Sequence, residues 1–167
     1  MKCRHCRSEC TTKFVDLGAA PPSNSYISTD GLDGPEKTYP LVVMVCEECW
    51  LVQTKDFAQA DELFASDYAY FSSFSSSWLR HAEAYAERMS RHLGLGPASL
   101  VVEVASNDGY LLQHFQRLGV RSLGIEPTAS TATAAREKGI DTVEEFFGVT
   151  LARRLVQQGM RADLMAA

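Results

Sequence analysis

Two groups of residues in this chain have types and spacings suited to chemistry. The first is a pair of C-x-x-C motifs, Cys3-Arg-His-Cys6 and Cys46-Glu-Glu-Cys49; the second is Glu103-Val-Ala-Ser-Asn-Asp-Gly109 with Glu126 beyond it. Each C-x-x-C delivers two sulfurs from one tight turn, so two of them can close a tetrahedral four-thiolate site. With every position taken by thiolate, such a metal holds structure and does not catalyse, and zinc is the expected ion. Iron is the smaller alternative. A redox pair is the rival, but that motif belongs at a strand-to-helix junction, which Cys3 does not suit. The fifth cysteine, Cys10, and His5 are substitute ligands of poorer spacing.

The second group sits in a recognisable frame. Residues 100–104 form an apolar run, 105–109 a tight turn, 110–118 an amphipathic stretch, and Leu123-Gly-Ile-Glu-Pro127 a second strand ending in a carboxylate. That order is the opening βαβ unit of a cofactor-binding sheet, in which an acid about 20 residues past the turn holds a ribose. A dinucleotide fingerprint is missing: Ala105 and Asn107 stand where glycines would let a pyrophosphate approach. Asp108 is expected to cap the following helix, contributing about 1 kcal/mol, and to repel phosphate from the same N–H groups. A cationic cofactor without phosphates, S-adenosylmethionine, suits this turn. In the plainer reading, Asn107 and Asp108 only cap a helix.

Stepping outward, the chain has 167 residues and a net charge of −5, with no long basic run. Bulk attraction to nucleic acid or to an acidic membrane is not expected. The start of the chain lacks the apolar core of a signal peptide, and no apolar run reaches transmembrane length, so a cytoplasmic protein is expected. The fold class is α/β: a small four-cysteine zinc module followed by an incomplete Rossmann-like sheet. Residues 1–57 form the zinc module, 58–97 a linker and amphipathic helix, and 98–167 the first part of the sheet domain. Within the module, Asp16–Tyr26 and Thr29–Pro35 are rich in turn formers and read as loops, Tyr39–Val45 as a strand, and Trp50–Thr54 as its return.

A short helix is expected near Asp61–Ala65, then an irregular aromatic stretch from Asp67 to Ser75. Trp78–Leu93 reads as an amphipathic helix with Trp78, Ala82, Tyr85, Met89 and Leu93 on one face. The helix after the turn should bury Leu111, Leu112, Phe115 and Leu118. Further elements are expected at Ser130–Lys138, Asp141–Val143, Val149–Gln158 and, as a fourth strand beginning, Ala162–Ala167. His81, His92 and His114 read as solvated. A sheet of this kind normally has more strands, so the chain reads as the N-terminal part of a longer protein.

Together, Cys3-x-x-Cys6, Asp16-Leu-Gly18, Cys46-x-x-Cys49, Tyr68-Ala-Tyr-Phe-Ser-Ser73, Glu103-Val-Ala-Ser-Asn-Asp-Gly109 and Gly124-Ile-Glu-Pro127 resemble the S-adenosylmethionine-dependent C-methyltransferases of nucleotide-activated deoxysugars. The resemblance implies a zinc ligand set of Cys3, Cys6, Cys46 and Cys49. It places Glu103, Ala105, Ser106, Asn107, Asp108 and Gly109 at the methionine end of the cofactor. Glu126 and Pro127 would lie by its ribose, and Glu145 and Phe146 by its adenine. Tyr68 and Tyr70 become candidates for substrate contact or proton transfer, with the main base expected beyond residue 167. Asn24 and Tyr26 are further candidate contacts to the nucleotide-sugar. On this view residues 1–167 alone would be inactive. The rivals are a zinc-module methyltransferase of nucleic acid, a non-catalytic remnant serving as an interaction surface, and nicotinamide-dependent redox chemistry.

Overall fold

Strand pairing is antiparallel in residues Met1–Leu63 and parallel in Phe64–Ala167, the two units into which the chain divides. The structure is a computed structural model and describes residues 1–64 and 68–167. The first unit is a three-stranded sheet of β1 (Thr12–Ala20), β2 (Tyr39–Val45) and β3 (Val52–Thr54), in that order. A short helix, α1 (Ala60–Leu63), follows. The expected end of that helix at Ala65, and Asp67, lie outside the described residues.

The loop expected from Asp16 is corrected here: residues 16–20 belong to β1. Its turn formers act inside the strand. Asp16 accepts a bond from the Gly18 N–H at 3.1 Å, Gly18 has φ of 80°, and the register with β2 shifts between Asp16 and Ala19. The result is a bulge, which one glycine in a left-handed conformation allows without ending the ladder.

In the second unit β4 (Leu100–Val104), β5 (Arg121–Ile125), β6 (Thr142–Val143) and β7 (Leu164–Ala166) form a parallel sheet of order β6-β5-β4-β7. Numbered from β4, this is the 3-2-1-4 order of a Rossmann-like sheet. The helices are α2 (Ser76–Leu93), α3 (Leu112–Arg117), α4 (Ala129–Glu137) and α5 (Val149–Gln157). Because side chains alternate along a strand, β4 feeds two apolar layers. Val101 packs with α2, α3 and Ala135 of α4, while Leu100 and Val102 pack with Leu151 and Leu155 of α5. Glu103 shares the parity of Val101.

Helix α2 is thus a layer of the sheet unit. The Ser75 hydroxyl caps it by accepting the Trp78 N–H at 3.2 Å, and Gly94 ends it with φ of 64°. Its buried residues are Ala82 and Ala86, whose small side chains let it lie close to α3, and Tyr85 and Met89 of the expected face pack against the same core; Trp78 and Leu93, at the two ends of that face, are 42% and 46% exposed. Helix α3 starts at Leu112, later than the turn suggested, and the expected Leu111, Leu112 and Phe115 are buried. Leu118 is exposed and His114 is buried, both contrary to expectation. Among the described residues neither ring nitrogen of His114 has a partner, and burial lowers its pKa.

Candidate functional site

The sulfurs of Cys3, Cys6, Cys46 and Cys49 all lie within 4.8 Å of one another. Cys3 and Cys49 are 3.6 Å apart and Cys6 and Cys46 3.5 Å. A zinc–sulfur bond of about 2.3 Å implies sulfurs about 3.8 Å apart in a tetrahedron, so the cluster fits the ion. The two knuckles share one construction. Arg7 and Trp50, each just after the second cysteine of its pair, have φ of 65° and 62°. Their N–H groups donate to the carbonyls of Cys3 and Cys46 at 3.1 and 2.9 Å. The turn thereby folds back on the first ligand without a glycine.

A buried amide supports the sulfurs. The Gln53 side chain donates to Cys3 Sγ at 3.4 Å and accepts the Arg4 N–H at 3.0 Å, tying the first knuckle to β3. A hydrogen bond from the Cys6 backbone, opposed by burial and helped by Gln53, holds the Cys3 thiol down at about 5. The Leu51 backbone pulls Cys49 down, but burial and the three neighbouring sulfurs push it up to about 12. Four sulfurs this close cannot all be ionised without a cation among them, and a divalent ion meets that need. Cys10 is buried beside the cluster but is not one of the four, and His5 is exposed.

In the second unit a cavity of about 420 Å³ opens at the carboxyl ends of β4 and β5. Phe64, Tyr68, Tyr70 and Ser72 wall one side, Ala105, Asn107 and Tyr110 another; Glu126, Pro127, Phe146 and Phe147 complete it. Size and apolar lining suit a small-molecule site. Glu126 is 5% exposed and firmly held. Its Oε2 accepts the Asn107 N–H at 2.9 Å, and its Oε1 accepts the Thr128 N–H at 2.9 Å and the Thr128 hydroxyl. A carboxylate oxygen accepts two bonds, so Oε2 keeps one position.

Of the residues singled out in the sequence, Tyr68, Tyr70, Ala105, Asn107, Glu126, Pro127 and Phe146 line this cavity. Glu103 lines a different one, of about 370 Å³, with Trp78, His81, Tyr85 and Tyr110. Burial raises its pKa to about 8, partly opposed by the Tyr110 hydroxyl and reinforced by Asp108 and Glu126. Ser106 is fully buried against Gly124, where a Cβ would stand 2.5 Å from its hydroxyl oxygen. Gly109, with φ of 75°, lies against Ile140, 2.9 Å from where its Cβ would be. Glu145 pairs with Arg154 and is not among the lining residues.

The expected cap by Asp108 is corrected. Among the described residues no side chain caps α3, and Asp108 is bonded to Lys138, whose ammonium lies 2.9 Å from Oδ2 and donates to the Asp108 carbonyl at 2.8 Å. With its charge paired, Asp108 repels a phosphate less than the sequence suggested. Ala105 and Asn107 carry side chains in left-handed backbone, with φ of 57° and 51°. Tyr110 and Phe147 were not foreseen; each is the aromatic immediately following a residue that was, and that adjacency was the available signal. Lys138 gave none.

Among known proteins, residues 3–64 match a family described as "Putative zinc binding domain". Over 146 residues, 87% of this chain, the sequence is 30% identical to the C-methyltransferase NovU of Streptomyces niveus. The chain spans about a third of that relative's length, 34%. These two matches carry the four cysteines and the sheet unit together, and they support a C-methyltransferase family for the chain.

Proposed function

We propose that this chain supplies the cofactor-binding part of an enzyme that moves a methyl group from S-adenosylmethionine to a carbon of a nucleotide-linked keto-deoxysugar, acting in the cytoplasm. The observation that carries the reading is the aromatic cavity at the carboxyl ends of β4 and β5, with the Glu126 carboxylate in its wall. Parallel sheets of this strand order take their ligands there.

The residues fit such a cofactor. Glu126 Oε2 accepts one ribose hydroxyl while the Asn107 and Thr128 bonds fix its orientation. Pro127, Phe146 and Phe147 present flat apolar surface to a purine and keep water from it. Tyr68 and Tyr70 hold the substrate side of the cavity, where a phenol can donate a hydrogen bond to a developing enolate oxygen or relay a proton. The cofactor supplies an electrophilic methyl group when bound. Cys3, Cys6, Cys46 and Cys49 hold a structural zinc ion that takes no part in the transfer. The keto group acidifies the neighbouring carbon, and close placement of that carbon is what the protein contributes most.

Calorimetry with S-adenosylhomocysteine tests the reading. Binding should occur and weaken roughly tenfold in Phe146→Ala, as expected for a lost stacking contact. Binding of NADH in its place, or equal affinity in the variant, overturns it. Since residues 1–167 match only about a third of the relative's length, they are expected to bind weakly by themselves and to lack turnover.

A further inference from the structure

Residues 68–74 have little secondary structure of their own, a single 3-10 turn at Ser72–Phe74, yet they form one wall of the cavity. Beyond the Phe74 N–H bond to the Phe71 carbonyl, four of their polar groups are bonded from outside the segment. The Asn107 carboxamide donates to the Tyr70 carbonyl at 3.0 Å and accepts the Ser72 N–H at 2.9 Å. A carboxamide carries a donor and an acceptor in one plane, as a peptide group does, so Asn107 pairs with the segment as a neighbouring strand would. Two further ties come from either end of α4. The Ser130 hydroxyl donates to the Tyr68 carbonyl at 3.0 Å, and the Lys138 ammonium to the Ser73 hydroxyl at 2.9 Å.

Asn107 is also the residue whose own N–H holds Glu126 Oε2, at 2.9 Å. It is 8% exposed, and its side chain is spent on the segment, so it has little left to give a ligand directly. We infer that Asn107 is a positioning residue: it fastens the aromatic strap 68–74 to the turn after β4, and it links the strap's closure to occupancy of Glu126. The inference rests on the proposed methyl-donor site and assigns its ordering to one side chain. Its consequence is reciprocal. A ligand that bonds Glu126 steadies Asn107 and so protects the strap; a fixed strap presents Tyr68 and Tyr70 already in place, sparing the ligand the cost of ordering them.

Hydrogen exchange on the full-length protein decides this, with Asn107→Gly as the main variant. Glycine accepts the left-handed φ of 51° at this position, so only the side-chain bonds are lost. Exchange in a peptide covering 68–74 should rise roughly tenfold or more, two hydrogen bonds being removed, while peptides of β4 and α2 stay unchanged. Ser130→Ala, which leaves the turn intact, should loosen only the Tyr68 end. Asn107→Asp keeps the acceptor for the Ser72 N–H and should restore protection there but not elsewhere in the strap. S-adenosylhomocysteine should slow strap exchange in the wild type and bind roughly tenfold more weakly to Asn107→Gly. Unchanged strap exchange in Asn107→Gly overturns the inference, as does a loosened strap with unaltered affinity. A wild type that binds no S-adenosylhomocysteine overturns the methyl-donor reading, and the exchange of the free proteins still decides the clamp.

Discussion

The two units solve the problem of stability by different means. In Met1–Leu63 the buried apolar set is Cys3, Cys10, Met44 and Cys46, three of them cysteines at or beside the cluster. Phe14, Leu17, Tyr26, Leu32 and Trp50 of the same unit are each more than 60% exposed. In Phe64–Ala167 the sheet carries an apolar layer on each face, centred on Leu112, Phe115 and Ile140 on one side and Ile125 and Leu151 on the other. A unit of about 60 residues buries a small share of its surface and commonly needs a cross-link. The comparison teaches that the first unit is organised by ligand bonds and the second by packing, so each should fail under a different insult.

Removing the metal is the severest test. Structural zinc sites of this kind contribute on the order of 10–16 kcal/mol, since the site does not exist in the unfolded chain. Chelation, or Cys46→Ala, should therefore unfold the first unit, seen as rapid proteolysis within residues 1–63. The sheet unit should keep its helical circular dichroism. Simultaneous loss of both would break the comparison. The converse test is Phe115→Ala. Phe115 of α3 is fully buried in one cluster with Val101 of β4 and Ala82 and Ala86 of α2, and deleting such a ring costs about 3–5 kcal/mol. Urea unfolding of the sheet unit should shift by that amount while zinc retention under a chelator challenge stays as in the wild type.

How far the sequence revealed each unit follows from the same contrast. Strands β4 and β5 are buried over Leu100–Glu103 and Leu123–Ile125 and read as short apolar runs ending in or interrupted by a carboxylate, and the ends of the later helices are marked by glycine; these were legible. The cysteine spacing alone indicated the cluster. Strand β1 was hidden because its pairing with β2 passes through a bulge of turn-forming residues, and composition suggests a loop where main-chain bonds make a strand. The Asp108–Lys138 pair joins residues 30 positions apart. His114 was misplaced because it stands three residues after Leu111 and beside Phe115, on the flank of the same buried face, and its polar ring suggested solvent.

A smaller effect probes the polar group set within the packed unit. Glu103 has a raised folded-state pKa of about 8 against an ordinary 4.5, chiefly from burial. Tyr110, Asp108 and Glu126 are the ionisable groups that act on it, and His81 shares its cavity. The folded chain holds this proton more tightly than the unfolded one. The contribution is therefore complete below about pH 4.5 and is lost as pH rises toward 8. Glu103→Gln should flatten that decline and leave the sheet unit about 1–3 kcal/mol more stable than wild type above pH 8, by urea titration at several pH values. The zinc unit should show no matching change. A wild-type sheet unit whose stability is level between pH 5 and 8 would mean that Glu103 is solvated or paired, and that the packed unit does not tolerate a buried, half-satisfied carboxyl.

The smallest effect concerns the turn that joins packing to function. Ala105 has φ of 57°, where a Cβ crowds its own carbonyl at a cost of about 1–2 kcal/mol. Glycine would remove that strain but give the unfolded chain more freedom, worth about 0.5–1 kcal/mol in the opposite sense. Ala105→Gly should thus stabilise the sheet unit by less than about 1 kcal/mol, a small rise in melting temperature. Its value lies in what else it changes. Strain held at a functional turn is kept only if the shape is useful, and here the Ala105 side chain also takes space in the cavity wall. The variant should therefore be the more stable protein and the less selective one, with measurable NADH binding where the wild type shows little. If stability rises and selectivity is untouched, the methyl at 105 is an accident of sequence, and exclusion of a dinucleotide belongs to Asn107 and its strap.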